Sequence, residues 1–149
     1  MCGRFSQSYT WEAAQAFSLG LTDRRSAAIV SLPRYNIAPN TDVQIIRPSP
    51  AGGRELILAR WGLIPREWQR RFSSNSSQSL LKKIASSRFN PPLEDVETRP
   101  AFRDAFKKQR CIIPASGFYA WTGPKSDRTP HYCTAEDGHI LAFAGLWDR

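Results

Sequence analysis

The sequence predicts an α+β domain, mostly β, with a few short flanking helices. Apolar runs of strand length, Val43 to Ile46 among them, alternate with Gly- and Pro-rich turns. Helical spacing is confined to short stretches, and no internal repeat is present. Such a mixture fits one layered domain better than a helical bundle or a solenoid.

From the N-terminus, "YTWEAAQAFSLGL" predicts a short helix with Thr10 as N-cap and Glu12 in the first turn. Trp11, Ala14, Phe17 and Leu19 form a loose apolar face. "RYNIAPNTDVQIIRPSP" reads as a turn followed by a strand, and "AGGRELILARWGLIP" as a Gly-rich hairpin turn followed by a strand ending near Trp61. Residues 69–88 read as an inserted Ser-rich surface loop, with a short helix expected at "SLLKKIA". "VETRPAFRDAFKKQR" predicts a helix with Pro100 at its start and basic residues in its last turn. A second strand pair is expected at "RCIIPASGFYAW" and "PHYCTAEDGHILAFAGLW", with "EDGH" as a tight hairpin turn. Trp61, Phe118, Trp121 and Trp147 are assigned to the core.

A chain of 149 residues suits a single domain, 1–149. Its 41% hydrophobic and 23% charged content is that of a soluble globular protein. No apolar run reaches the length of a membrane span, and no basic stretch followed by an apolar core opens the chain. Cys2, Cys111 and Cys133 are odd in number and far apart, as in a reduced cytoplasmic protein, and none belongs to a CxxC pair. No metal or cofactor is expected. Lys+Arg 21 against Asp+Glu 13 gives +8, which suits a polyanionic partner and salt-dependent binding, or simply keeps the chain soluble.

The opening "MCGRF" carries the most specific chemistry. Cys2 in isolation reads as an ordinary small residue. With Met1 removed it becomes a 1,2-aminothiol. An α-amine has a pKa of about 7.7 against about 10.4 for lysine, so much more of it is neutral near pH 7. A neutral amine condenses with an aldehyde, and the adjacent thiol can close a five-membered thiazolidine. Acyl transfer is also open to an N-terminal cysteine that uses its own amine as base.

"MCGRF", "RYNIAP", "RWGLIP", "RPAFRDAF" and "RCIIPASGFYAW" follow one another in a single order. In this the chain resembles the SRAP family, the SOS response-associated peptidases, from Met1 to Arg149. The resemblance implies an open β-barrel or sheet, lacking its C-terminal third here. It also implies that Met1 is removed and that Cys2 crosslinks to abasic sites in single-stranded DNA, whose ring-opened sugar is an aldehyde. Asn90 matches a family asparagine, a hydrogen-bonding residue beside the cysteine; its other reading is a turn residue before two prolines. The phosphate-contacting arginine expected two places on is replaced by Pro92. The glutamate of the family's "GFYEW" is replaced by Ala120, which removes a general acid/base and should slow proton transfer by roughly 10²–10⁴-fold. The family histidine belongs to a later motif that the chain does not reach. His131 and His139 lack its flanks and read as hairpin or surface residues.

Arg4 is positioned in sequence to steer a phosphate and to lower the pKa of the nearby thiol. Pro39, Trp68 and Arg71 match the family's DNA-binding rim, where an apolar wedge and an aromatic meet unstacked bases. Core packing is the competing reading for Trp68. Arg70, Lys82, Lys83 and Arg88 make the insertion basic, as a solvated loop also would be. The resemblance implies a DNA-repair protein of a family with a peptidase and hydrolase label, with autoproteolytic or aminopeptidase removal of Met1. It implies single-stranded DNA with abasic sites as partner, no membrane and a monomer, in the cytoplasm or on the nucleoid. A degenerate single-stranded-DNA-binding remnant and a cysteine autopeptidase without a DNA role are the alternatives.

Overall fold

The structure, a computed structural model, describes residues 3–21, 25–30, 32–65, 68, 79–80, 83, 85 and 90–148. Among the described residues, eight strands divide into two four-stranded antiparallel sheets that do not close into a barrel. The first sheet has the order β2-β1-β6-β7, made of β1 (Phe5–Gln7), β2 (Arg34–Ile37), β6 (Gly117–Thr122) and β7 (Thr129–Cys133). The second has the order β4-β3-β5-β8, made of β3 (Asp42–Pro48), β4 (Arg54–Arg60), β5 (Arg110–Ala115) and β8 (Leu141–Leu146). Helices α1 (Trp11–Phe17), α2 (Arg25–Val30) and α3 (Pro100–Lys108) flank the sheets, and Leu93–Asp95 forms a 3-10 turn.

Local sequence explains most of these elements. The Thr10 side chain accepts from the Ala13 N–H and caps α1, while Pro100 opens α3 and Lys107 and Lys108 sit in its last turn. β3 and β4 pair in register from Asp42↔Arg60 to Pro48↔Arg54 around the turn at residues 49–53. Leu19, expected on the buried face of α1, lies beyond its end and is 82% exposed.

The core lies between the sheets. Phe5, Ile37, Val43, Ile45, Cys111 and Ala115 form its centre, with Trp61, Phe118, Phe143 and Trp147 packed against it. Phe5 meets the Trp61 and Phe143 rings edge-on. A second cluster of Ala14, Leu21, Val30, Ile46 and Leu56 seats α1 and α2. Polar groups also bridge the sheets. Buried Gln7 of β1 donates to the carbonyls of Gln44 in β3 and Pro114 in β5, and its oxygen accepts from the Gln44 N–H.

Two expectations need correction. The "EDGH" turn does form, with the Gly138 N–H bonded to the Ala135 carbonyl, but it does not join a hairpin. β7 pairs with β6, whereas β8 pairs with β5, so the turn carries the chain from one sheet to the other. The same switch occurs at Ser116 between β5 and β6. Trp121 is not a core residue. Strand alternation puts it on the face of β6 opposite Phe118, where it is 41% exposed beside Tyr119.

Candidate functional site

Four strands bring their ends together on one side of the first sheet: β1 begins there, β2 ends, β6 ends and β7 begins. This end therefore gathers Arg4, Asn36, Pro39, Ala120 and His131, which lie up to 127 positions apart.

Arg4 is held from two directions. Its guanidinium donates to Asn36 Oδ1 at 2.8 Å, and its carbonyl accepts the Tyr119 N–H at 3.0 Å. The register predicts that Arg4, Asn36 and Tyr119 share the outer face of the sheet, opposite Phe5, Ile37 and Phe118. Tyr119 continues the frame by donating to the Tyr35 carbonyl at 2.8 Å. Its ring lies 5.0 Å from that of Tyr132, whose hydroxyl is 2.6 Å from Ser6 Oγ. Arg4 thus stands on a braced surface. That matters for a cation meant to orient an anion, because a fixed donor loses less freedom on binding.

Pro39 is half-buried in the loop that follows β2. Its neighbour Asn40 adopts φ 68°, and asparagine tolerates that left-handed conformation better than most residues. Asn40 N–H bonds the Trp61 carbonyl at 2.8 Å, and Trp61 N–H returns to the Thr41 carbonyl at 2.9 Å. Those bonds fasten "NIAP" to "RWGLIP", so two of the sequence motifs are neighbours in space. Gly62 follows at φ 141°, with the position of a Cβ only 3.0 Å from the Ala85 Cβ and carbonyl oxygen. Only glycine combines that backbone with so close an approach.

Trp68 is half-buried, its backbone N–H bonded to the Pro65 carbonyl at 2.9 Å. Asn90 helps line an apolar cavity of about 1090 Å³ that reaches from Phe5 of β1 along the second sheet to α3, with Ile57, Phe102, Phe106 and Phe143. That lining is mainly apolar, with Arg47, Arg60 and Arg110 among its members. Cys2 and Arg71 lie outside the described residues, as do Arg70, Lys82 and Arg88. Of residues 69–88 only Ser79, Leu80, Lys83 and Ala85 are described, all helical.

The Cys111 thiol is not poised as a nucleophile. Burial pushes the Cys111 thiol up to about 12, the Arg47 guanidinium partly opposing it. Among the described residues no three His, Cys, Asp or Glu side chains are grouped to hold a metal ion. No helix among them is long and apolar enough to cross a membrane.

Sequence reading missed Asn36 and the cross-strand neighbour of Ala120. β6 and β7 pair as Ala120↔His131, and counting outward from the turn at residues 123–128 would have found that partner.

A half-open, two-sheet domain in which "NIAP" and "RWGLIP" are fastened to each other is the class of protein defined by this geometry. The SOS response associated peptidase (SRAP) family pattern matches residues 1–149, and the chain belongs to that family. It is 33% identical over 119 residues to the abasic site processing protein YoqW of Bacillus subtilis (strain 168), covering 78% of this chain and 47% of that protein. The abasic site processing protein HMCES of Xenopus tropicalis is 29% identical over 109 residues, covering 67% of this chain and 30% of that one. The chain thus spans about half the length, or less, of these relatives. Among solved structures, a Bordetella bronchiseptica protein superposes with a TM-score of 0.76 at 26% identity, covering 99% of this chain and 64% of that one. A Bacteroides thetaiotaomicron protein gives 0.77 at 25% identity, with 99% and 60% covered. Mostly antiparallel, unclosed sheets with short helices are thus the fold, as the sequence predicted.

Proposed function

We propose that this chain acts in the response to DNA damage, capturing abasic sites in single-stranded DNA through Cys2. The observation that carries the reading is the cysteine directly after Met1, in a family whose relatives are named for abasic-site processing. Removal of Met1 exposes an amine and a thiol on adjacent carbons. The amine condenses with the ring-opened sugar, and the thiol closes the thiazolidine. Arg4, braced by Asn36, orients a phosphate beside the lesion. Pro39 and Trp68 hold flanking bases out of their stack, and Arg71 adds a phosphate contact. Asn90 is a hydrogen-bonding partner for the reacting groups. The net charge of +8 suits this polyanion, and the reading puts the chain in the cytoplasm, bound to DNA as a monomer.

Ala120 favours a second reading, a module that holds single-stranded DNA and crosslinks inefficiently. Incubating the purified chain with an abasic single-stranded oligonucleotide separates the two. A denaturation-resistant adduct that disappears in Cys2→Ser supports covalent capture. Affinity without an adduct supports the binding module. Intact-mass measurement should find Cys2 as the first residue, and retention of Met1 throughout would end the thiazolidine mechanism.

A further inference from the structure

Position 120 has lost a carboxylate relative to the family pattern, and the residue paired with it on the next strand is His131. Paired residues of an antiparallel ladder project from the same face. On the other flank of β6, Phe5 pairs with Phe118, and the Tyr119 N–H bonds the Arg4 carbonyl. Carrying that register one residue further sets Gly3 beside Ala120. Gly3, Ala120 and His131 thus form a row across three strands, with about 10 Å between its outer Cα atoms at the usual strand spacing.

Ala120 ends at its methyl group, and a Cβ added to Gly3 would meet no heavy atom within 4 Å among the described residues. His131 is exposed on the edge strand β7. Its Nε2 lies 2.8 Å from Thr122 Oγ1. A hydroxyl can donate or accept, so Thr122 can hold the ring whether or not that nitrogen carries a proton. Among the described residues of β1, β6 and β7, Cys133 is the other titratable group on this face. Lys125, Asp127 and Arg128 lie in the turn beyond Thr122.

We propose that His131 carries the protons of the Cys2 reaction, acting across Ala120 from the neighbouring strand; this rests on the abasic-site reading above. The α-amine adds to the aldehyde carbon, forming a C–N bond, and an amine proton moves to the oxygen. The imidazolium of His131 then protonates that hydroxyl. The C–O bond breaks, water leaves with the electron pair, and a protonated imine remains. Sulfur adds to the imine carbon, forming the C–S bond. The thiol proton passes to the imidazole and restores the imidazolium. One water is released, and no oxidant or reductant is needed.

The test is single-turnover adduct formation by the full chain on an abasic single-stranded oligonucleotide between pH 5 and 8, where histidine ordinarily titrates. His131→Gln keeps the hydrogen-bonding capacity near Thr122 but cannot cycle a proton. It should slow the adduct at least tenfold, flatten the pH profile and leave affinity for the oligonucleotide unchanged, with a parental circular-dichroism spectrum. Adding Ala120→Glu to His131→Gln should restore rate from the adjoining strand. A variant with the parental rate and pH profile overturns the role of His131 alone. So does a slower variant whose pH profile is intact or whose affinity has fallen, since either marks a structural effect. A parent that forms no adduct at all overturns the abasic-site reading and this role with it.

Discussion

At the scale of single residues, Cys111 shows what burial does to a thiol. Cys111 is a small apolar residue of the core, its thiol pushed up to about 12 by burial. Native protein treated with iodoacetamide at pH 8 should therefore be left unmodified at Cys111 and become modified there on denaturation, as read by peptide mass mapping. The pH dependence of stability follows from the same shift. Its folded-state pKa lies above the ordinary thiol value, so the contribution is whole below about pH 9 and is lost as pH rises toward 12. Cys111→Ala should remove that part of the alkaline slope in denaturant titrations. Position 120 is the other decisive residue. Ala120→Glu returns a proton donor beside Gly3 and should accelerate adduct formation, by less than the roughly 10²–10⁴-fold of a complete general acid. If His131 already carries protons, the gain should be larger in His131→Gln than in the parent, a non-additivity expected of neighbours sharing one task. No acceleration in a folded Ala120→Glu chain would remove position 120 from the reaction.

At the scale of elements, the site depends on how the two sheets are fastened. Gln7 occupies a buried strand position where an apolar residue would be usual, and its amide ties β1 to both β3 and β5. Gln7→Leu keeps the volume but strands the Gln44 N–H and two carbonyls. Each buried unsatisfied group costs about 1–3 kcal/mol, so a loss of several kcal/mol in a urea titration is expected. Gly117, where β6 begins, is closed over by Tyr132. A Cβ there would lie 2.5 Å from the tyrosine ring and 2.7 Å from the Cys133 carbonyl oxygen. Helices α1 and α3 and the β3–β4 hairpin were legible in the sequence because cap, proline and turn residues act within a few positions. The pairing of β7 and β8 was not. "EDGH" specifies a tight turn, yet whether the flanking strands join one sheet or two is decided by distant partners, Phe118 to Thr122 for β7 and Arg110 to Ala115 for β8. The same limit hid His131. Its local flanks carry no signal, and only the β6–β7 register brings it opposite Ala120.

At the scale of the whole molecule, net charge and local shape contribute separately. An apolar cavity of about 1090 Å³ lies along the second sheet, whereas Arg4, Pro39 and Ala120 meet at one end of the first. A polyanion gains from a net +8 anywhere near the surface, but its bases need an aromatic or apolar partner to stack on. These two contributions separate experimentally, because counterion release depends on salt and stacking does so only weakly. Affinity for single-stranded DNA, measured by fluorescence anisotropy between 50 mM and 200 mM salt, should fall linearly on a double-logarithmic plot. Trp68→Ala should lower affinity at every salt concentration while leaving the slope unchanged, by about 1–3 kcal/mol if one base stacks on the ring. Arg4→Gln should instead make the slope shallower by about one phosphate's worth, roughly 0.7 for a single strand. Affinity indifferent to salt would argue against a phosphate-tracking surface. A Trp68→Ala chain that binds as the parent does would leave that ring to packing beside Pro65, and base stacking would have to be sought elsewhere on the first sheet.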